Sequence, residues 1–493
     1  GAGAAKLSGN LSGFTGTITL TAGALDVGSA TVGETKPTFA FGEGATGTLT
    51  VPAGAEGTVT VPAGAALKLV LSAAQVLEGY TASGVTLASE GEAQGTIAFV
   101  NAAGETITEG VNGTTYTAPL NTWTPAEASA DGTYRWSTAA NWSTGTVPAE
   151  ADNARISISG DTTLTLDADV TAAGLAVEGS GTLTLAGSAL NVSGVIVCKT
   201  DVTAAIAALA DKTGTIQVEE GKVLTLNSET VVDNPDNFGS AHAIALPAIT
   251  GSGSVVKTGA GAVVVVDRAL EPAITLQAGA LHLRGSENAA RPSRLDITAK
   301  NGTEVRFTAW AKNEDNSLNS FRLEGGSKMV LGNGLTENSP RTISGAVTLV
   351  QATDENPVRI YGSAFGPVQL NTSIGLAEGE TSGVLEFAEG EQFNSTYACN
   401  HAVLVGGVIS GNIAVRVSEQ ANGVTFSGAN TYTGGTEITE GAALTISNRA
   451  GVGTSGTITG AGTLKVTGAY SGNTNVNPLA NVSGLTEAGW TGT

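Results

Sequence analysis

The sequence predicts an all-β fold, a right-handed parallel β-helix (a β-solenoid) carrying one or two short helical insertions. Three observations predict it. A glycine-bounded, threonine-rich strand module returns along the chain, and returning modules of this size mark repeat architectures. The strands inside the module are short and alternate with period 2. Glycine makes up 68 of 493 residues while aromatic residues are only 5%. That balance favours many tight turns over a large aromatic core.

The module first reads Gly16-Thr-Ile-Thr-Leu-Thr-Ala-Gly23, followed by Ala-Leu-Asp-Val27. It returns from Gly47 to Gly54, from Gly57 through Gly64 to Leu69, and from Gly214 through Gly221 to Leu226. A fifth copy runs from Pro272 through Gly279 to Leu283, with proline replacing the first glycine. Threonine at alternate positions suits one face of a strand and Ile, Leu or Val the other. A constant step between glycines fixes the turn, so copies stack in register at ~4.8 Å per layer. A string of β-sandwiches is the competing all-β arrangement, and it calls for longer strands and more aromatic anchors.

Residues 1–121 form a first solenoid stretch, with a short helix expected at Ser72-Ala-Ala-Gln-Val-Leu77. Residues 122–148 hold three of the five tryptophans, Trp123, Trp136 and Trp142, in a short span with Pro125 and Pro148. They read as a capping or linker segment, and the three rings are candidates for stacking on a glycan. Residues 149–493 form a second solenoid stretch. Within it the alanine-rich run 200–212 predicts a helix, with Thr200 or Asp201 as its N-cap. The polar runs 232–237, 312–317 and 353–357 read as projecting loops.

Charged residues are 14% of the chain, with a net charge of −21. This argues against nucleic acid and anionic membrane as partners, because phosphate binding needs clustered Lys and Arg, and no membrane insertion by this segment is expected. Cys198 and Cys399 sit in no CxxC or metal-ligand spacing and read as two inert thiols. No apolar run reaches the ~18 residues of a membrane-spanning helix. The chain begins without Met and without a leader, and reads as a mature or excised product.

Catalytic chemistry finds little purchase. His242, His282 and His401 lie far apart with no HxH or HExxH pattern, and no nucleophile elbow stands out. Asp and Glu are scattered through turns, so an enzyme acting on polysaccharides ranks last among the readings. No cofactor is expected. Calcium is the one metal with suitable ligands, in the acidic loops at 233–237 and 313–317. One stretch departs from the acidic average: residues 281–330 carry eight cationic against six anionic side chains, a net of +2. Arg291, Arg294 and Arg306, with Trp310 as an apolar anchor, are candidates for contact with an acidic neighbour or glycan.

Two segments carry a family resemblance. One is Val256-Lys-Thr-Gly-Ala-Gly-Ala-Val-Val-Val265. The other is Phe426-Ser-Gly-Ala-Asn-Thr-Tyr-Thr-Gly-Gly-Thr436, continuing through Glu-Ile-Thr-Glu-Gly-Ala-Ala-Leu-Thr-Ile446. Together they resemble the repeat of autotransporter-associated β-helix proteins. The resemblance implies a bacterial surface or secreted β-helix, an adhesin or scaffold, and carries over no catalytic residue. The chain departs from classical autotransporters in lacking a C-terminal series of alternating membrane strands.

The ends echo internal modules. Phe14-Thr-Gly-Thr17 leads into the strand reaching Leu20, and Leu485-Thr-Glu-Ala-Gly-Trp490-Thr-Gly-Thr493 stops where such a strand would begin. Unpaired strand edges recruit further strands, and two different complementary ends build open filaments. Phe14, Leu20, Leu485 and Trp490 are therefore candidate assembly residues. The expected function is a structural segment of a bacterial extracellular fibre or surface layer, associating end to end. The chain either continues covalently or stacks as subunits. An adhesin that binds glycans is the second reading.

Overall fold

In the computed structural model the chain is a parallel β-solenoid of about 15 turns. Residues 3–466 are described, apart from 12, 32–36, 91–92, 108–110, 126–132, 206–208, 210–213, 230–245, 267–268, 285–293, 309–318, 333–340, 364–365, 389–401, 419–422, 448–450 and 454–456. The N-terminal stretch stacks five parallel strands, Ala4–Lys6, Thr17–Asp26, Thr38–Pro52, Ala65–Val70 and Thr96–Val100, in sequence order. The later stretch is walled by parallel sheets of six, fifteen and nine strands. Consecutive strands of each wall come from consecutive rungs, so nearly every contact within a wall joins one turn to the next.

Alternation decides which side chains enter the core. In Thr162–Leu166 and Thr182–Gly187 the leucines point inward and the threonines outward. Register then builds an inner column: Leu164 opposes Leu185, Leu185 opposes Ala204, and Ala204 opposes Leu226. The next member is Lys257, which sits between Leu226 and Leu276 and is 2% exposed. Its Nζ donates to the carbonyls of Gly259 at 2.5 Å and Ala278 at 3.0 Å. Burial lowers its pKa to about 8, against the opposing pull of Glu229.

The glycine step has a steric cause at Gly47, where φ is +125° and an added Cβ would lie 1.8 Å from the Gly23 carbonyl oxygen. The rungs approach too closely there for any side chain. Gly54, seven residues on, needs glycine for a different reason: φ is +88° but the space around it is open.

Asparagines staple the corners. Asn430 is fully buried; its Oδ1 accepts from the Ile409 N–H at 2.8 Å and its Nδ2 donates to the Gly451 carbonyl at 2.6 Å. One side chain thus satisfies a backbone group on the rung before and one on the rung after. Asn319 does the same between Leu295 and Ser344, at 3.0 and 3.2 Å. Beside Asn430, buried Tyr432 shares a 2.6 Å hydrogen bond with Thr436.

Among the described residues, buried apolar side chains gather in two main clusters. One runs from Leu20 to Tyr116, the other from Trp123 to Ile458. A small third cluster joins Ala74 and Leu77 to Ala176, Val195 and Val197. Its first two members lie on the helix Ala73–Glu78, which a capping box starts: Ser72 Oγ accepts from Gln75 N–H, and Gln75 Oε1 accepts from Ser72 N–H. Lys199 pairs with Glu78 at 3.0 Å across the same contact.

The helix expected from residue 200 is corrected over its first half. Asp201–Ala205 is a strand, paired with Thr182–Gly187 on one side and Val223–Asn227 on the other. Asp201 caps no helix; its Oδ1 accepts from the Val223 N–H at 2.9 Å. Alanine propensity yields here to two preformed strand edges that need a partner between them.

Candidate functional site

Two surfaces stand out from the regular walls. The first is the N-terminal edge of the five-stranded sheet. Ala4–Lys6 pairs with residues 24–26 on one side. Among the described residues no strand pairs with its other side. Leu7 donates its N–H to Asp26, and Gly3 accepts from Ala24. Odd-numbered residues therefore turn their backbone groups toward the neighbour, while Ala4 and Lys6 aim theirs at the open edge. Leu7, the residue after this strand, is 41% exposed, and Phe14 in the same first turn is 43% exposed, two of the few exposed large apolar side chains among the described residues. Such an edge is a template for a further strand.

The second surface is a ladder of charge along the outer face of the nine-stranded sheet. Register places Glu304, Lys328, Arg359, Glu386, Arg416 and Glu437 in one column, one residue per rung. Arg359 Nε donates to Glu386 at 2.9 Å and Arg416 Nε donates to Glu437 at 2.8 Å. At the start of the column Glu304 receives Arg306 Nε at 2.5 Å and stands 3.7 Å from His282 Nε2. Burial would raise the Glu304 pKa, but hydrogen bonding to His282 and the Arg306 guanidinium overcome it and hold the carboxyl at about 2. Burial lowers the pKa of His282. Two steps of the column, Arg359–Glu386 and Arg416–Glu437, are ion pairs that join one rung to the next, while Lys328 opposes Arg359. The column brings together no nucleophile with an adjacent base. Among the described residues no group of three His, Cys, Asp or Glu side chains converges on a metal position.

The residues singled out from sequence fall into three sets. Phe14 is exposed, whereas the Leu20 side chain is 7% exposed and packs into the core, so only its backbone could take part in assembly. Leu485, Trp490, Arg291, Trp310, Cys399, His242, His401 and both acidic loops lie outside the described residues. Trp123, Trp136 and Trp142 are 0%, 2% and 3% exposed, so they offer no open face to a sugar. Trp136 and Trp142 pack edge to face at 4.7 Å, and Trp142 Nε1 donates to the Trp136 carbonyl. They begin the second core. Arg306 is also buried, 3% exposed and turned to Glu304, while Arg294 is exposed and pairs with Asp296 at 3.3 Å.

The basic stretch 281–330 does not form one patch. Arg322 lies on the fifteen-stranded sheet, Lys300 follows a strand of that sheet and pairs with Glu324, and Arg306 and Lys328 lie on the nine-stranded sheet. Sequence reading missed the charge column because its partners stand 21 to 31 residues apart, one per rung. Its signal is a charged residue at the same outward position of successive strands. No protein-family model matches the chain, and no match arises among curated proteins or solved structures.

Proposed function

We propose that the chain is a structural segment of an extracellular bacterial fibre or surface layer, a stiff solenoid that lengthens by adding rungs end to end. The observation that supports this reading is the unbroken stack of parallel ladders, whose strand Ala4–Lys6 is paired on one side only among the described residues, with Leu7 exposed beside it. Continuous backbone ladders, corner asparagines and the charge column resist bending and unwinding, which suits a load-bearing role. The finer reading, an autotransporter-associated repeat protein, rests on the Gly428-Ala-Asn-Thr-Tyr432 corner, whose Asn430 and Tyr432 are core residues. The extracellular placement rests on that same resemblance. The adhesin reading loses its tryptophan strip to burial.

Sedimentation velocity across a concentration series tests the edge. The unaltered chain is expected to grow with concentration. Ala4→Pro removes an N–H that faces the open side, so it is expected to leave the folded ladder intact and stop growth. Growth of both proteins, or of neither, overturns the proposal.

A further inference from the structure

Beside the open edge, the outer face of the five-stranded sheet holds a cleft of about 440 Å³. Its floor is one outward column: Lys6 opposes Asp26, Asp26 opposes Thr50, and Thr50 opposes Lys68. Three inter-strand steps make that floor about 14 Å long. One wall is the turn at 101–104. Asn101 braces it, its Oδ1 accepting from the N–H groups of Ala103 at 3.0 Å and Glu105 at 2.9 Å. The other wall is Gly28 and Ser29, fixed by the Gly28 N–H donating to Asp26 Oδ1 at 2.9 Å. Val70 and Val100 supply an apolar side.

The charge inside is unusual for this chain. Two lysines face a single acid, a local net of +1 in a protein of −21. Asp26 is engaged by Lys6, at 3.6 Å, and by Gly28. Lys68 has no ion-pair partner among the described residues. The cleft thus offers one uncommitted ammonium, two hydroxyls (Ser29 and Thr50), a carboxylate able to accept, and an apolar wall. Its volume falls in the ordinary range for small-ligand sites.

We infer that this cleft binds an acidic saccharide, with a ring carboxylate on Lys68, ring hydroxyls along Ser29, Thr50 and Asp26, and a C–H face against Val70. The combination selects the class. A simple anion would use Lys68 and leave the hydroxyl row and apolar wall idle. A neutral sugar would leave the ammonium unmatched. A fatty acid would cover the hydroxyls without pairing them. The inference stands apart from end-to-end assembly, since it needs neither a second copy nor a filament.

Isothermal titration of the full chain tests it with trigalacturonate, its methyl ester and acetate as probes. Trigalacturonate is expected to bind about tenfold tighter than the ester, the worth of one charge-assisted hydrogen bond. Lys68→Gln is expected to remove that advantage and leave ester binding unchanged. Ser29→Trp, at an exposed position, fills the cleft and is expected to abolish binding of both sugars while circular dichroism stays unchanged. Equal affinity for acid and ester, no binding of either, full affinity in Lys68→Gln, or acetate matching trigalacturonate would each overturn the inference.

Discussion

Replacing Asn430 by alanine tests whether side-chain staples, rather than the strand ladders alone, hold successive rungs in register. Asn430 is fully buried, and its amide satisfies the Ile409 N–H at 2.8 Å and the Gly451 carbonyl at 2.6 Å. Truncation strands both backbone groups away from water. Each orphan costs about 1–3 kcal/mol, so the substitution should destabilise the C-terminal rungs by about 2–6 kcal/mol. Thr425→Ala is the control, an outward residue between Leu404 and Thr445, expected to change stability by about 0.5 kcal/mol or less. Hydrogen exchange read by mass spectrometry is the suitable assay, because a solenoid opens locally before it unfolds globally. Exchange should accelerate in the rungs holding Ile409, Asn430 and Gly451, and leave the N-terminal sheet unchanged. Asn430→Asp sharpens the test. Its carboxylate still accepts from Ile409 but repels the Gly451 carbonyl, so its folded pKa is raised above the unfolded ~3.9. Stability is then present at low pH and lost as pH rises through that raised value, because only the protonated acid can donate to Gly451. An Asn430→Ala protein that exchanges like the Thr425→Ala control would refute the reasoning.

Three further outcomes follow from the same geometry. Gly47→Ala should cost at least about 3 kcal/mol by thermal unfolding, since its Cβ would sit 1.8 Å from the Gly23 oxygen; Gly54→Ala, strained in φ but unobstructed, should cost only about 1–2. Glu304 is held at about 2 against an ordinary 4.5, so its contribution is fully present above about pH 4.5 and lost as pH falls toward 2. Urea titrations at a series of pH values should show a loss of up to about 3 kcal/mol there, and Glu304→Gln should flatten it while lowering stability at pH 7. Cys198 is buried and its thiol is pushed up to about 12, first by burial and then by Glu219, so peptide mapping after iodoacetamide at pH 8 should find it unlabelled until denaturant is added.

Much of the fold was legible because its causes are local. Period-2 strands between Gly16 and Gly23, or Gly214 and Gly221, announce which face is buried, and Gly23, Gly54, Gly64, Gly221 and Gly279 all adopt positive φ. The short helix expected at 72–77 forms as Ala73–Glu78, and its cause is also local, the Ser72–Gln75 capping box. The misreadings share one cause, neighbours on adjacent rungs. The alanine run after Thr200 reads as helix until Leu185 and Leu226 flank Ala204 on either side. The tryptophans of 122–148 look like a surface strip until the next rungs cover them; Trp123 opposes Ile156. Nothing in the sequence marks Lys257 as buried, yet two carbonyls hold it in the core column. The charge column and the asparagine staples require knowing the register, which is set by turn lengths that vary between rungs. The Gly-Ala-Asn-Thr-Tyr corner did mark one staple, but by likeness rather than by geometry.

Electron microscopy of the protein in negative stain, from dilute to concentrated solution, tests the central claim most directly. The account predicts uniform, unbranched filaments one solenoid wide that lengthen with concentration and are absent in Ala4→Pro. Discrete particles that never join at any concentration would contradict it; the fifteen-stranded wall of each would measure about 70 Å at ~4.8 Å per rung.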